Sequence, residues 1–187
     1  MKPKVVTVFG SSQPRPGSAA YELAHELGRG IAAAGWALCN GGYGGTMEAG
    51  AKGAVEAGGH TMGVTLSRVG PGGPNPHIRQ EIPTFSLLVR LETLIRLGHG
   101  YVVLPGGTGT LLEFAAVWEM FNKRVLRRAA PLILLGEHWR PIVAAVRSEQ
   151  PDAPEPYMAD SVSAVLEVLS THLAGTANDE SAESAAG

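Results

Sequence analysis

The sequence predicts an α/β fold, a single domain built on a mostly parallel β-sheet with helices on both faces. Three observations carry this. Short β-branched, apolar runs alternate with longer stretches of helical period. Glycine clusters sit at the ends of those runs, just ahead of the next helical stretch. The length, 187 residues, suits one domain that buries roughly 70% of its unfolded surface without disulfides or metal.

The elements follow in order. Val5-Val6-Thr7-Val8-Phe9 is a short apolar run ending at Gly10, as expected of a buried strand. Ser18 is placed to cap a helix over 19–34, and Gly35 to stop it. Trp36 to Asn40 reads as a second strand and runs into Gly41-Gly42-Tyr43-Gly44-Gly45. A second helix over 46–57 closes at Gly58-Gly59, and 60–66 is a third strand. Residues 69–83 contain Pro71, Gly72, Gly73, Pro74, Pro76 and Pro83, so a loop is expected there. That loop is long enough to fold over a pocket, carrying His77 and Arg79. A helix over 86–97 leads to strand Tyr101-Val102-Val103-Leu104, which ends at Pro105-Gly106-Gly107-Thr108-Gly109-Thr110. A long helix runs from there to Asn122, followed by a fifth strand at 131–135 and helices at 139–148 and 161–173. The domain is therefore 1–173, and the small, acidic tail 174–187 is expected to be disordered.

Composition excludes several classes. With 44% hydrophobic and 17% charged residues, the chain is too apolar to be disordered. No run of about 18 apolar residues occurs, so neither a membrane span nor a membrane partner is expected. Nothing after Met1 resembles a signal peptide, which points to the cytoplasm. A net charge of -2 argues against nucleic acid as an obligatory partner. The single Cys39 excludes an internal disulfide and a multi-cysteine metal site. The six histidines show no close ligand spacing, so no metal is expected, and each reads as structural or solvated. Cys39, in an apolar strand, reads as a small core residue.

Glycine is the unusual figure: 25 residues, about twice the usual share of roughly 7%. Three clusters fall where a parallel sheet binds ligands, after the carboxyl ends of strands. They are Gly10-Ser11-Ser12, the loop from Asn40 to Thr46 with Gly42, Gly44 and Gly45, and Pro105 to Thr110. A missing Cβ lets a ligand approach main-chain N–H groups closely. The following helix adds unpaired N–H groups and a positive dipole end. An anion there gains about 0.3–1 kcal/mol from the dipole, and up to about 2 kcal/mol when partly buried. Gly106, Gly107 and Gly109, with the hydroxyls of Thr108 and Thr110, thus form a candidate phosphate cradle. Two standard nucleotide motifs are absent: there is no Gly-Lys pair for a P-loop, and Gly10 is not followed by GxGxxG spacing.

Two charged residues stand on mostly apolar helices beside these loops. Glu113 falls between Val117 and Met120 in helical projection, in what reads as the first turn. A carboxylate is rarely buried without a partner, so Glu113 is a candidate catalytic group. A capping contact to a hydroxyl such as Thr110 is the simpler alternative. On the preceding helix Leu87, Leu91, Leu94 and Ile95 make the buried face, Glu92 and Arg96 a solvent pair, and Arg90 the edge. Periodicity alone leaves Arg90 equally suited to function or to a stem packed on apolar surface with its head in water.

Pro105-Gly106-Gly107-Thr108-Gly109-Thr110-Leu111-Leu112-Glu113 matches PGGxGTxxE and resembles the LOG family, whose members were long mislabelled as lysine decarboxylases. Val8-Phe9-Gly10-Ser11-Ser12 is similar to the family's first strand and loop, and Gly41 to Met47 to its second glycine loop. Arg90 falls at the Arg of its MxxRK motif. The likeness spans roughly residues 4–145. It implies a Rossmann-like, nucleotide-binding domain. It also implies a phosphoribohydrolase cutting the N-glycosidic bond of a nucleoside 5'-monophosphate, AMP or N6-modified AMP, as in cytokinin activation. Arg90 and Glu113 would be catalytic. Gly10, Ser11, Ser12, Gly42, Gly44, Gly45, Thr46, Gly106, Gly107, Thr108, Gly109 and Thr110 would hold substrate and phosphate. No cofactor is implied, and the glycine loops carry no Lys placed for a pyridoxal Schiff base. The resemblance implies a small-molecule nucleotide as partner and a homodimer or higher homo-oligomer as assembly. The nearly all-round apolar stretch from Leu111 to Phe121 suits a buried or interfacial helix. Leu91 and Leu112 replace the family's usual Lys and first Glu, and Glu48 its usual Gly. The superfamily resemblance also admits a non-catalytic nucleotide or molybdenum-cofactor carrier.

Overall fold

The computed structural model describes residues 2–67, 73–126 and 130–173. Its elements run β1 (Val5–Phe9), α1 (Ala19–Ala33), β2 (Ala37–Asn40), α2 (Thr46–Glu56), β3 (Thr61–Leu66), β4 (Gln80–Thr84), α3 (Leu87–Leu97), β5 (Gly100–Val103), α4 (Thr108–Asn122), β6 (Leu132–Leu135), α5 (Arg140–Glu149), β7 (Tyr157–Ala159) and α6 (Val162–Leu173). All seven strands lie in one sheet, ordered β4-β3-β2-β1-β5-β6-β7, and every pairing is parallel. The Rossmann-like α/β architecture is thus the one expected. The expected tail at 174–187 lies outside the described residues.

The central strands are buried along their whole length because helices cover both sheet faces. Side chains alternate between two apolar cores, as the two-residue strand period requires. Val6, Val8, Leu38 and Val102 join α1, α2 and α6 on one face. Val5, Phe9, Cys39, Tyr101 and Val103 join Phe114, Val117 and Trp118 of α4 on the other. Cys39 is fully buried, and burial pushes its thiol up to about 12, which leaves it inert as a nucleophile. Helices α1 and α2 pack closely because Gly28 lies against the Gly50 carbonyl, where no Cβ fits. Ser18 caps α1 by accepting from the Tyr21 N–H, and Gly35 follows the helix in the left-handed region, as their residue types predict.

The structure corrects the sequence reading at four places. Gln80–Thr84, which overlaps the end of the expected loop at 69–83, is an edge strand paired in register with β3 from Met62↔Gln80 to Leu66↔Thr84. Its polar residues and Pro83 hid it, since an edge strand tolerates proline and need not be apolar. Tyr157–Ala159 is a second edge strand, too short for the periodicity to reveal. Helix α4 begins at Thr108, which moves Glu113 from the first turn into the second. Leu87, assigned to a buried face, is about half exposed; α3 buries only Leu94 and Ile95 fully.

His77 and Arg79 do not fold over the carboxyl edge. The Thr61 hydroxyl donates to the His77 carbonyl and accepts from the Arg79 N–H, which fixes both at the start of β3. Among the described residues no helix is long and apolar enough to cross a membrane.

Candidate active site

The chain starts at the sheet centre, moves outward to β4, then returns to place β5 beside β1. At such a switch point the loops on either side diverge and leave a crevice outside the strand carboxyl ends. Because β2, β1 and β5 are neighbours, their three glycine loops meet at that crevice.

The first two loops are bound to each other. The Thr46 N–H and hydroxyl both donate to the Ser11 carbonyl, at 2.9 and 3.0 Å. Gly45 has φ +69, and a Cβ there would collide with Ser11 and Ser12. Gly10 lies against the Thr46 hydroxyl. Thr46 therefore ties the loops together, and it is almost fully buried. Ser11 and Ser12 accept from the Gln13 backbone and side chain respectively, at 3.1 and 3.3 Å. Asn40 stiffens the second loop by accepting from the Gly42 N–H at 2.8 Å and donating to the Met47 carbonyl at 2.9 Å. Gly42 also accepts from the Asn75 N–H at 2.8 Å and from the Asn75 amide at 3.1 Å, and Tyr43 accepts from that amide at 2.8 Å, so Asn75 ties the segment before β4 to this loop. Gly44 is more open, with only the Glu48 carboxylate nearby.

The third loop carries the open helix end. Gly107 is the N-cap of α4 and contributes no side-chain cap. Space is free where a Cβ would stand at Gly107 and Gly109. The N–H groups of the first turn and the positive dipole end are thus available to an anion. Gly106 lies against Thr110, which is buried, while Thr108 is exposed at the mouth.

Arg90 and Glu113 meet. Arg90 Nη1 lies 3.3 Å from Glu113 Oε1, and the two side chains are only 12% and 13% exposed. Arg90 Nε donates to the Val64 carbonyl of β3 at 2.8 Å, and its guanidinium stands 5.7 Å from the Tyr43 ring centroid. Tyr43 is itself fixed at Leu66, accepting from its N–H at 2.7 Å. Gly41 leaves room for Nη2, where a Cβ would collide. The arginine head is therefore buried at the strand ends rather than solvated. Glu113 also departs from the capping alternative: its partner is Arg90. Burial raises its pKa to about 7 despite the lowering effect of Arg90, so it titrates near neutrality. Glu113 lies five residues into α4, about 7–8 Å along the axis from Thr108. Its side chain tilts back toward the open helix end.

Two neighbours are not singled out by the sequence. Tyr43 stands there only as part of the second glycine loop, and His138 reads as structural or solvated, yet His138 Nε2 lies 3.1 Å from the Gly106 carbonyl. The one available signal was placement: His138 follows the β6 carboxyl end. The other histidines keep to structural contacts, such as His25 with Glu56 at 2.7 Å and the Val5 N–H donating to His99 Nδ1. Among the described residues no cluster suits a metal ion. A groove of about 740 Å³ lies elsewhere, lined by Leu88, Leu91, Ile95, Met120, Val125 and others, and includes neither Arg90 nor Glu113. That groove also carries Lys4, Glu92, Arg96, His99 and His172, but the candidate chemistry is placed at the buried pair, where a carboxylate, a guanidinium and an open helix end stand at the strand carboxyl ends.

Comparison with known proteins places the chain in a family. The chain is 29% identical over 148 residues to the cytokinin riboside 5'-monophosphate phosphoribohydrolase of Rhodococcoides fascians, covering 77% of this chain and 74% of that one. It is 36% identical over 99 residues to the protein of the same name from Mycobacterium tuberculosis, over 52% of this chain and 53% of that one. The molybdenum cofactor carrier protein of Chlamydomonas reinhardtii superposes with a TM-score of 0.74 at 26% identity, over 93% of this chain and 99% of that one. Residues 3–151 match the model of the SLOG cluster4 family, and the chain, with its LOG-like glycine loops on a parallel sheet, belongs to that family.

Proposed function

We propose that the protein is a phosphoribohydrolase that converts a nucleoside 5'-monophosphate, AMP or N6-modified AMP, to free base and ribose 5-phosphate. The observation that carries this is the buried Arg90–Glu113 pair, with Glu113 raised to about 7, one and a half turns from an uncapped helix N-terminus. The 5'-phosphate sits on the amides of Gly107, Thr108 and Gly109 with the Thr108 hydroxyl, and the sugar extends toward Glu113. Gly106 and Thr110 shape that cradle. Gly10, Ser11, Ser12, Gly42, Gly44, Gly45 and Thr46 form the opposite wall.

The C1'–N bond breaks with its electron pair leaving on the base, and positive charge develops across C1' and the ring oxygen, as in glycoside hydrolysis. The Glu113 carboxylate stabilises that charge, orients a water at C1' and takes its proton as the new C1'–O bond forms; the proton then passes through solvent to the base nitrogen that left with the electron pair, which gives free base and restores the carboxylate. Arg90 holds the carboxylate in place and offers N–H donors to the departing base. The relatives named as phosphoribohydrolases support this chemistry. Incubating the purified protein with a panel of nucleoside monophosphates should release free base, detected by chromatography, and Glu113→Ala should abolish release. No base from any member of the panel would refute the proposal.

A carrier function is the second reading. The likeness to a molybdenum cofactor carrier favours it, as do Leu91 and Leu112 where the LOG pattern has Lys and Glu. Tight nucleotide or pterin-phosphate binding that survives Glu113→Ala, with no product formed, would establish it instead. We further propose a homodimer: Phe85 (80% exposed), Leu88 (72%), Leu87 and Val89 form an apolar patch at the start of α3, and a monomer rarely leaves such a patch uncovered.

A further inference from the structure

The loop after β6 has no part in the chemistry above, yet it braces the phosphate cradle. Its adjacent residues His138 and Trp139 each direct a ring nitrogen at a carbonyl of the β5 loop. Trp139 Nε1 donates to Leu104 O at 3.0 Å, and His138 Nε2 faces Gly106 O at 3.1 Å. The two carbonyls flank Pro105. A carbonyl only accepts, so His138 meets it as the Nε2–H donor. The brace is anchored in the core: Trp139 is buried against Phe114, with centroids 5.7 Å apart, and the His138 ring stands edge-on to Trp139 at 4.6 Å.

Two consecutive glycines are the softest backbone a chain can place at a binding site. Gly106-Gly107 is such a pair, and Gly107 is the α4 N-cap. In a trans peptide the N–H of one residue points opposite to the preceding C=O. Holding the Gly106 carbonyl on the His138 side therefore turns the Gly107 N–H to the opposite side. We infer that His138 is a positioning residue: by pinning the Gly106 carbonyl it preorganises the Gly107 N–H, at the mouth of α4, for an oxygen of a phosphate monoester. The inference rests on the phosphate-cradle reading above. The hydrogen bond exists before any ligand arrives, so binding does not bear the cost of ordering the glycine pair.

Calorimetric titration of the full chain with ribose 5-phosphate, and in parallel with ribose, tests it. His138→Ala is expected to weaken ribose 5-phosphate binding about fivefold and leave ribose binding unchanged. His138→Phe, which keeps a ring beside Trp139 but has no donor, should do the same. His138→Gln, whose amide can donate, should stay within about twofold of wild type. In amide NMR spectra, inorganic phosphate should shift the Gly107 resonance of the wild type, and His138→Phe should displace it before phosphate is added. If the wild type binds ribose 5-phosphate and the Ala and Phe variants bind it equally well, the inference is overturned and the cradle stands. Weakening in His138→Gln equal to that in His138→Phe overturns it too, because the donor is then not the cause. Failure of the wild type to bind either ribose 5-phosphate or phosphate overturns the inference together with the cradle.

Discussion

Glu113 is buried enough that its charge is costly, and it touches a cation that only partly offsets the cost. A group whose pKa is raised to about 7 gains its carboxylate form as pH climbs through neutrality. If that carboxylate is the base, kcat/KM should rise about tenfold per unit below pH 7 and level off above it. A profile flat from pH 5 to 8 would remove Glu113 from that role. Arg90→Lys tests the partner. The guanidinium reaches Val64 and Glu113 with different nitrogens, and an ammonium lacks that fork. The substitution should lower kcat/KM by at least about a hundredfold, with a thermal midpoint near wild type. Glu113 was legible in advance, because its motif and its place on an apolar helix both single it out. Arg90 was half legible. Its helical position put it at an edge, but only the approach of Val64, Gly41 and Tyr43 decided that the head is buried.

Among the elements, α4 would link binding to catalysis in the proposed function, since its open end and its second turn present the candidate cradle and Glu113 along one axis. Gly107→Asp separates stability from function. The Gly107 backbone, at φ -95 and ψ -154, accepts any residue, and space is free for a Cβ. An aspartate N-cap there should stabilise the fold by a few tenths of a kcal/mol. It would also occupy the amides proposed for phosphate and repel a dianion. Thermal denaturation should show an equal or higher midpoint, while KM for the nucleotide rises at least about tenfold. An unchanged KM would place the phosphate elsewhere. The central strands and all six helices were foreseeable from apolar runs and caps. Strands β4 and β7 were not, because an edge strand buries one side at most and owes its structure to the neighbour it pairs with.

For the whole molecule, the strand order is what makes one site of three loops far apart in the chain. The apolar patch from Phe85 to Val89 leads into the helix that carries Arg90. Light scattering after gel filtration should give twice the 19.5 kDa chain mass, and Leu88→Asp, an exposed position in the monomer, should reduce it to one chain. A wild-type monomer at micromolar concentration would refute the homodimer.

Local pattern was enough to establish the fold class and to single out the candidate glycine-loop cradle and Glu113. Each depends on residues near in sequence: strand runs, caps, and a motif that spans a single strand–helix junction. Long-range packing had to supply the rest. It alone brings Arg90 to Glu113 across 23 positions and His138 to Gly106 across 32. It also sets the dielectric that lifts a carboxylate toward pH 7, because burial belongs to the folded neighbourhood of a residue and to no window of sequence.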